Sequence, residues 1–530
     1  MGKQPSAWFL AAILSCLVAL AGCGGPTAQI GLSLDAGLLT VPLGGEAQLT
    51  VTLTRTGAAT GPVELKLGPT PLPTGMSYSF TPAVLSGAAT TSVLRVAADA
   101  SAAEGPVLAQ VSATSGALAA SQPLTVNVQA LTLDGVVTTS YGVPLAGVSA
   151  ASQGMVTTTG PDGRFTLAGL AVPYDLTLYS AADEWVHRYE GLTEGDLTFL
   201  PATTQLPSIT GESMQLTGTL SGGVLPVPAQ HRVYVCVEGI DATVIGCGYV
   251  DAGGSTYAFT ASWPAGTPAV KVHALEVEQD GAGKPVAYLA YGSATTTLVD
   301  GVDQTLDIAL GAGGTSRRLD IEVNVPAGWT SPGPLVALRL GAHHWAELYS
   351  TPSAPTFVEV PVGITGLGSG VMAAGQSGSA LSFAWDTEPT SASVTLDVPE
   401  SPGLLAPADA ATGVTATTAF SLTLGAGLVP TYMWRPDVPG TGPTFALTTT
   451  RTEVRVPILT SPALPLPSGS VAYDWLAWGD LASSVDQAAS SLGQQAIASA
   501  FAAAFTGSGW GFEGSGAIAF AAERSFTTAP

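Results

Sequence analysis

The stretch Ala47–Gly57, AQLTVTLTRTG, sets Leu49, Val51 and Leu53 in strict alternation with Thr50, Thr52 and Thr54 until a glycine breaks it. Successive side chains of a strand point to opposite faces, so a period of two marks a strand with one face in a core and the other in water. The same rhythm returns in PLTVNVQ (123–129), and from about residue 29 to 129 turn-forming residues interrupt it at intervals of about 8–12. That spacing is the signature of a β-sandwich. Composition extends the reading to the rest of the chain: of 530 residues, 46% are hydrophobic and 10% charged, with 64 glycines and 39 prolines. Disorder needs low hydrophobicity with high charge, and long helices draw on Glu, Lys and Leu, whereas β-branched residues with turn formers make short strands. The expected fold class is all-β, as tandem β-sandwich modules in an elongated array. At about 100–150 residues per domain, 530 residues suffice for three to five of them.

The formal charge is −23, and the 16 Lys and Arg are scattered, with Arg317-Arg318 the sole adjacent pair. Nucleic-acid affinity needs a basic stripe against the phosphates, so a nucleic-acid partner is excluded. An acidic surface of this kind keeps an exported protein soluble.

Export is what the N-terminus implies. Lys3 precedes an apolar run from Trp8 to Leu20 that ends in Gly22-Cys23-Gly24, a signal-peptide layout too short for a membrane span of about 20 residues. The order Leu20-Ala21-Gly22-Cys23 resembles the lipobox of bacterial lipoproteins. The resemblance implies a signal peptide over 1–22, lipidation of Cys23, a tether over 23–28, and a membrane attachment through the N-terminal lipid. With Gly24 rather than aspartate after the cysteine, it implies the outer membrane, on its periplasmic face or at the cell surface.

Of four cysteines, Cys16 leaves with the signal peptide and Cys23 is the anchor. Cys236 and Cys247, in VYVCVEGIDATVIGCGYV (233–250), lie on valine-rich runs that read as two strands of a hairpin. An oxidising exported compartment favours a disulfide between them, worth about 3 kcal/mol for a loop of this length. A metal site would need two further ligands, and His231 is the one obvious neighbour.

Five modules carry family resemblances or strand patterns. Residues 29–129, with LTVPLGGEAQLTVTLTRTG and LPTGMSYSFTPAVL, resemble bacterial immunoglobulin-like modules, which serve as spacers or adhesive units. Residues 130–201 resemble the transthyretin-like, carboxypeptidase regulatory-like sandwich through Pro144-Leu145-Ala146-Gly147-Val148 and Asp162-Gly163-Arg164-Phe165. That is an accessory module, so the resemblance implies no catalysis, and Asp162-Gly163 reads as a tight turn. Residues 202–310 and 317–400 read as sandwiches of no named family, separated by a glycine linker, GAGGTS, at 311–316. Residues 401–530 resemble a fibronectin type III-like domain through SPGLLAPADAATGVTATTAFSLT, GSVAYDWLAWGD and RSFTTAP.

In that last module an insertion at about 484–515 has alanine at helical density, a capping box from Ser483 to Asp486, and Gly507 as a stop. It reads as the single helix of the mature chain, expected to pack on its own module. Trp510, at its glycine-rich end, and Trp478 are the candidate binding residues for a protein or glycan partner, since aromatic platforms grip sugars and partners.

No catalytic signature emerges. Gly509, Gly511 and Gly514 match a dinucleotide fingerprint, but no βαβ unit surrounds them. His343, His344 and Glu347 fall on a strand-and-turn pattern in which adjacent side chains face opposite ways. His187, His231 and His273 lie in different places without a nucleophile motif. No catalytic residue, metal or cofactor is therefore expected, and the protein is read as a non-enzyme. The expected function is adhesion, display or scaffolding by an envelope lipoprotein. The alternative is a glycan-binding accessory protein, favoured by an exposed aromatic row. A secreted hydrolase stands further off and would need a cleft joining a histidine to carboxylates.

Overall fold

The computed structural model describes residues 28–138, 144–199, 211–240, 244, 246–263, 265–340, 344–350, 356–438, 440–460, 463–490 and 515–530. Among them are 42 strands and one helix of six residues, so the fold is all-β. The chain divides after Gln129 into two compact units.

The first unit is a β-sandwich of two sheets. Its opening strand is split: Gln29–Leu34 joins a four-stranded antiparallel sheet, whereas Leu38–Pro42 joins a five-stranded one, parallel to the last strand Leu118–Gln129. The alternating residues Leu49, Val51 and Leu53 all point into the core, against Leu65, Val96 and Val126.

The second unit holds four sandwich cores. Around Leu133, Phe165, Leu176 and Tyr189 lies the core of residues 131–199. Its Asp162-Gly163 turn forms as expected: Gly163 has φ +72°, and a Cβ there would lie 2.4 Å from the Val137 carbonyl oxygen. The core of residues 212–312 follows, around Val235, Trp263 and Val272. Where its strand Glu212–Gly222 pairs in parallel with the short strands Gln304–Thr305 and Ile308–Ala312, Asp300, Asp303 and Asp307 accept hydrogen bonds from the N–H groups of Ser213, Gln215 and Thr219. Of residues 311–316, expected as a linker, Gly311 and Ala312 close the strand Ile308–Ala312 and Thr315 and Ser316 open the strand Thr315–Asn324, so the break is only Gly313-Gly314, where Gly313 N donates to Leu289 O. The core of residues 315–398, around Leu319, Val358 and Val371, takes in Leu275, Val277 and Tyr288 from the preceding sandwich. The core of residues 403–528 gathers on Phe420, with Trp434, Trp475 and Phe526 packed edge-on around it.

These sandwiches share sheets. Trp185–Leu192 pairs in parallel with Thr444–Thr448, from Trp185 opposite Thr444 to Tyr189 opposite Thr448. Ala380–Asp386 pairs with Ser515–Phe520. One hydrogen-bonded sheet therefore runs from Met155–Thr158 through the last module to His344–Ser350. Satisfying strand edges against one another removes the unpaired N–H and C=O groups that separate sandwiches would expose.

The helix, Val485–Ser490, corrects two expectations. Its cap is Ser484 with Gln487: Gln487 N donates to Ser484 Oγ at 3.2 Å, and Gln487 Oε1 accepts from Ser483 N at 2.8 Å. It also docks on residues 131–199, where Val485, Ala488 and Ala489 enter the core, instead of closing only its own module. The rest of the proposed insertion, with Trp510 and the glycine triplet from Gly509, lies outside the described residues.

Candidate functional site

The joint between Trp185–Leu192 and Thr444–Thr448 gathers the polar chemistry of the second unit. Period two divides the strand Trp185–Leu192. Trp185 and Tyr189 face the core of residues 131–199, while Val186 enters the core of the last module.

On the first face His187 is fully buried, its Nε2 2.9 Å from Thr448 Oγ1, which is 2.8 Å from Thr431 Oγ1. Its ring stacks on Tyr189 with centroids 4.1 Å apart. Burial pushes the imidazole down to about 3, and holds the Tyr189 phenol well above its ordinary range, with the charge of Asp480 adding to it. A histidine beside a hydroxyl resembles a catalytic dyad, but a base needs access to its substrate and a pKa near the working pH. This one has neither. At the adjoining edge, Asp486 fastens the helix to the neighbouring module, accepting from Thr193 N at 2.7 Å, Thr193 Oγ1 at 2.9 Å and Glu194 N at 3.0 Å.

On the other face the joint opens into a cleft of about 460 Å³, within the range of small-ligand sites. Arg188 and Arg451, one from each module, converge on Glu190, Arg188 Nε at 3.3 Å and Arg451 through a direct ion pair. Arg188 is held from behind by Asp175 at 2.7 Å. The floor is Leu447, Val454 and Val456, with Pro457 and Ile458 beside them. Burial of Val454 and Val456 in the last core turns Glu453 and Arg455 outward to the mouth. Arg455 Nε donates to Thr417 O at 3.2 Å, and its two terminal nitrogens have no protein partner among the described residues. The Glu453 carboxylate makes no hydrogen bond or ion pair among them either.

The residues singled out in the sequence lie elsewhere. Cys236 and Cys247 are register partners on adjacent strands, Cα atoms 4.1 Å apart, and are joined by a disulfide. Trp478 is 2% exposed and packs by Phe520 and Met433, which removes it as a binding platform. Trp434 and Trp475 are buried as well. Cys23, Trp510 and His343 lie outside the described residues, and His344 and Glu347 belong to the strand His344–Ser350. His231 and His273 pair with Glu276 and Glu238, each at 2.8 Å, but Glu276 and His273 are buried between strands. Among the described residues no three His, Cys, Asp or Glu gather as a metal site, and no helix is long and apolar enough to cross a membrane. The cleft itself had a faint signal: HRYE at 187–190 and RTEVR at 451–455 concentrate three arginines in a chain with 16 basic residues.

No family model and no curated protein matches the chain. Similar solved structures are tandem immunoglobulin-domain proteins. An I-band fragment of titin is 8% identical, covers 71% of this chain and 97% of its own, and has a TM-score of 0.14. The ICAM-5 ectodomain fragment is 9% identical, with coverages of 84% and 94% and a TM-score of 0.14. The eight N-terminal immunoglobulin domains of Down Syndrome Cell Adhesion Molecule are 8% identical, with coverages of 95% and 72% and a TM-score of 0.13. At such scores the likeness assigns this chain no family, ligand or partner.

Proposed function

We propose that the chain is a lipid-anchored, non-catalytic protein of the bacterial outer membrane that acts in adhesion, display or scaffolding. The anchor rests on Leu20-Ala21-Gly22-Cys23. The non-catalytic reading rests on one observation above all: the buried ionisable groups at the joint serve to lock sandwich to sandwich. His187 is bonded to Thr448 and Asp486 caps Thr193 and Glu194, so neither reaches a cavity in which chemistry is done. A body whose modules share sheets and cores suits presentation of a fixed surface.

A glycan-binding role is a second reading, and the arginine-lined cleft favours it. The anchor is tested by Cys23→Ser with detergent phase partitioning and intact-mass measurement. The parent is expected in the detergent phase with the added mass of its acyl chains, and the variant in the aqueous phase. A variant that stays in the detergent phase with the parent's mass refutes the anchor. Protease shaving of whole cells then separates a cell-surface from a periplasmic position.

A further inference from the structure

We infer that the cleft between Arg188 and Arg455 is a binding site for a saccharide bearing a carboxylate, a hexuronic acid unit being the simplest such group. The inference does not depend on the lipid anchor. Its cations divide into two kinds. Arg188 and Arg451 are committed to Glu190, which is 15% exposed at its side chain, and together they hold the wall. Arg455 is uncommitted at the end that matters: Nε is anchored on Thr417 O, and the two terminal nitrogens, without a partner among the described residues, remain for a ligand. Guanidinium presents parallel N–H donors that match a carboxylate's two oxygens, and a side chain already held by Nε loses less freedom on binding.

The carboxylate of Glu453, two residues from Arg455 on the same outward face, supplies the complementary half. Uncommitted to any hydrogen bond or ion pair among the described residues, it accepts from ligand hydroxyls. Charge then narrows the ligand. Arg188, Arg451 and Arg455 against Glu190 and Glu453 leave the lining with a net charge of +1, three minus two. That balance suits one carboxylate per bound unit. A polyphosphate or heavily sulfated chain would meet two carboxylates in the same cleft. An acidic peptide offers Glu453 its amide N–H groups alone, whereas a sugar ring offers several hydroxyl donors around one carboxylate. Ile458, exposed at the mouth beside the buried Pro457, gives the C–H face of a ring something to lie on.

The test uses the full chain in detergent, titrated by calorimetry with a trigalacturonate, the matching neutral trigalactoside, and a tetraglutamate peptide. The trigalacturonate is expected to bind, at least tenfold more tightly than either of the others. Raising ionic strength from ~0.01 M to ~1 M shortens the Debye length from about 30 Å to about 3 Å and weakens that binding. Arg455→Lys keeps the charge but loses the fork, and Arg455→Gln loses both. Each is expected to lower affinity tenfold or more with an unchanged melting curve, and Glu453→Gln to lower it less. The proposal is overturned if the trigalacturonate fails to bind, if Arg455→Gln binds as the parent does, or if the neutral sugar binds equally well. Equal binding of the peptide replaces the saccharide with an acidic protein segment and overturns the proposal too.

Discussion

His187 gives up its water on folding and receives a threonine hydroxyl and an aromatic face in return. The unfolded chain carries an ordinary imidazole near 6.5, while burial lowers it to about 3 in the folded protein. Below pH 6.5 the unfolded chain therefore takes up a proton that the folded chain refuses. The contribution of His187 is whole above pH 6.5 and drains away as pH falls towards 3, at up to ~1.4 kcal/mol per unit. His273 is displaced downward as well, by burial, with the pull of Glu238 opposing it, so it acts in the same direction. Urea unfolding is expected to show about 2 kcal/mol lost between pH 7 and pH 5 through His187 alone. His187→Leu also removes the bond to Thr448 and lowers stability at pH 7, so the slope with pH is the quantity to compare. A variant with the parent's slope would show that the imidazole is not held uncharged. That His187 is buried could not be read from WVHRYEGL, because its burial comes from Thr448, 261 residues away.

Single elements were legible to the extent that their surroundings are local. AQLTVTLTRTG is a strand whose inward residues are the ones its alternation marks, and Cys236 and Cys247 face each other because a hairpin is a short-range object. Trp478 was misread for the converse reason. The strand Ala472–Leu481 alternates up to Ala477, with Tyr473 and Trp475 in one core, but Ala477 to Asp480 are buried on both faces and Trp478 enters another core, so the alternation wrongly sets Trp478 on the exposed side. The helix Val485–Ser490 shows the same division. SSVDQ announces a helix start, and the start is there, but Asp486 serves a loop 293 residues away. An acid in a first turn ordinarily gains a few tenths of a kcal/mol from the helix dipole, and Asp486 does more by satisfying three donors at once. Asp486→Ala strands the two N–H groups and the Thr193 hydroxyl, at about 2–3 kcal/mol. Asp486→Asn retains one oxygen and is expected to cost about half of that. Differential scanning calorimetry checks both, and an alanine variant that melts with the parent would remove the helix cap from the joint.

At the scale of the whole molecule, the sharing of cores changes what a deletion does. Independent modules would let residues 401–530 be removed without loss to residues 131–199. Here the core of residues 131–199 includes Val429, Ala482, Val485, Ala488 and Ala489, all supplied by the last module. Burying the two valines alone contributes about 3–6 kcal/mol, and a sandwich of this size has only a few kcal/mol of stability to lose. The same deletion strips Thr444–Thr448 from Trp185–Leu192, leaving a strand buried on both faces as an open edge. Residues 1–400 are therefore expected to keep the first sandwich, residues 28–129, folded while residues 131–199 become proteolysed and aggregation-prone. A short Gly-Ser replacement of 484–515 is expected to weaken residues 131–199 as well, through loss of Val485, Asp486 and Ala489. Limited proteolysis with mass mapping of the fragments distinguishes the outcomes. Early cuts confined to the last module in the Gly-Ser variant, with residues 131–199 as resistant as in the parent, would show that the modules stand alone and that the shared sheet carries little of their stability.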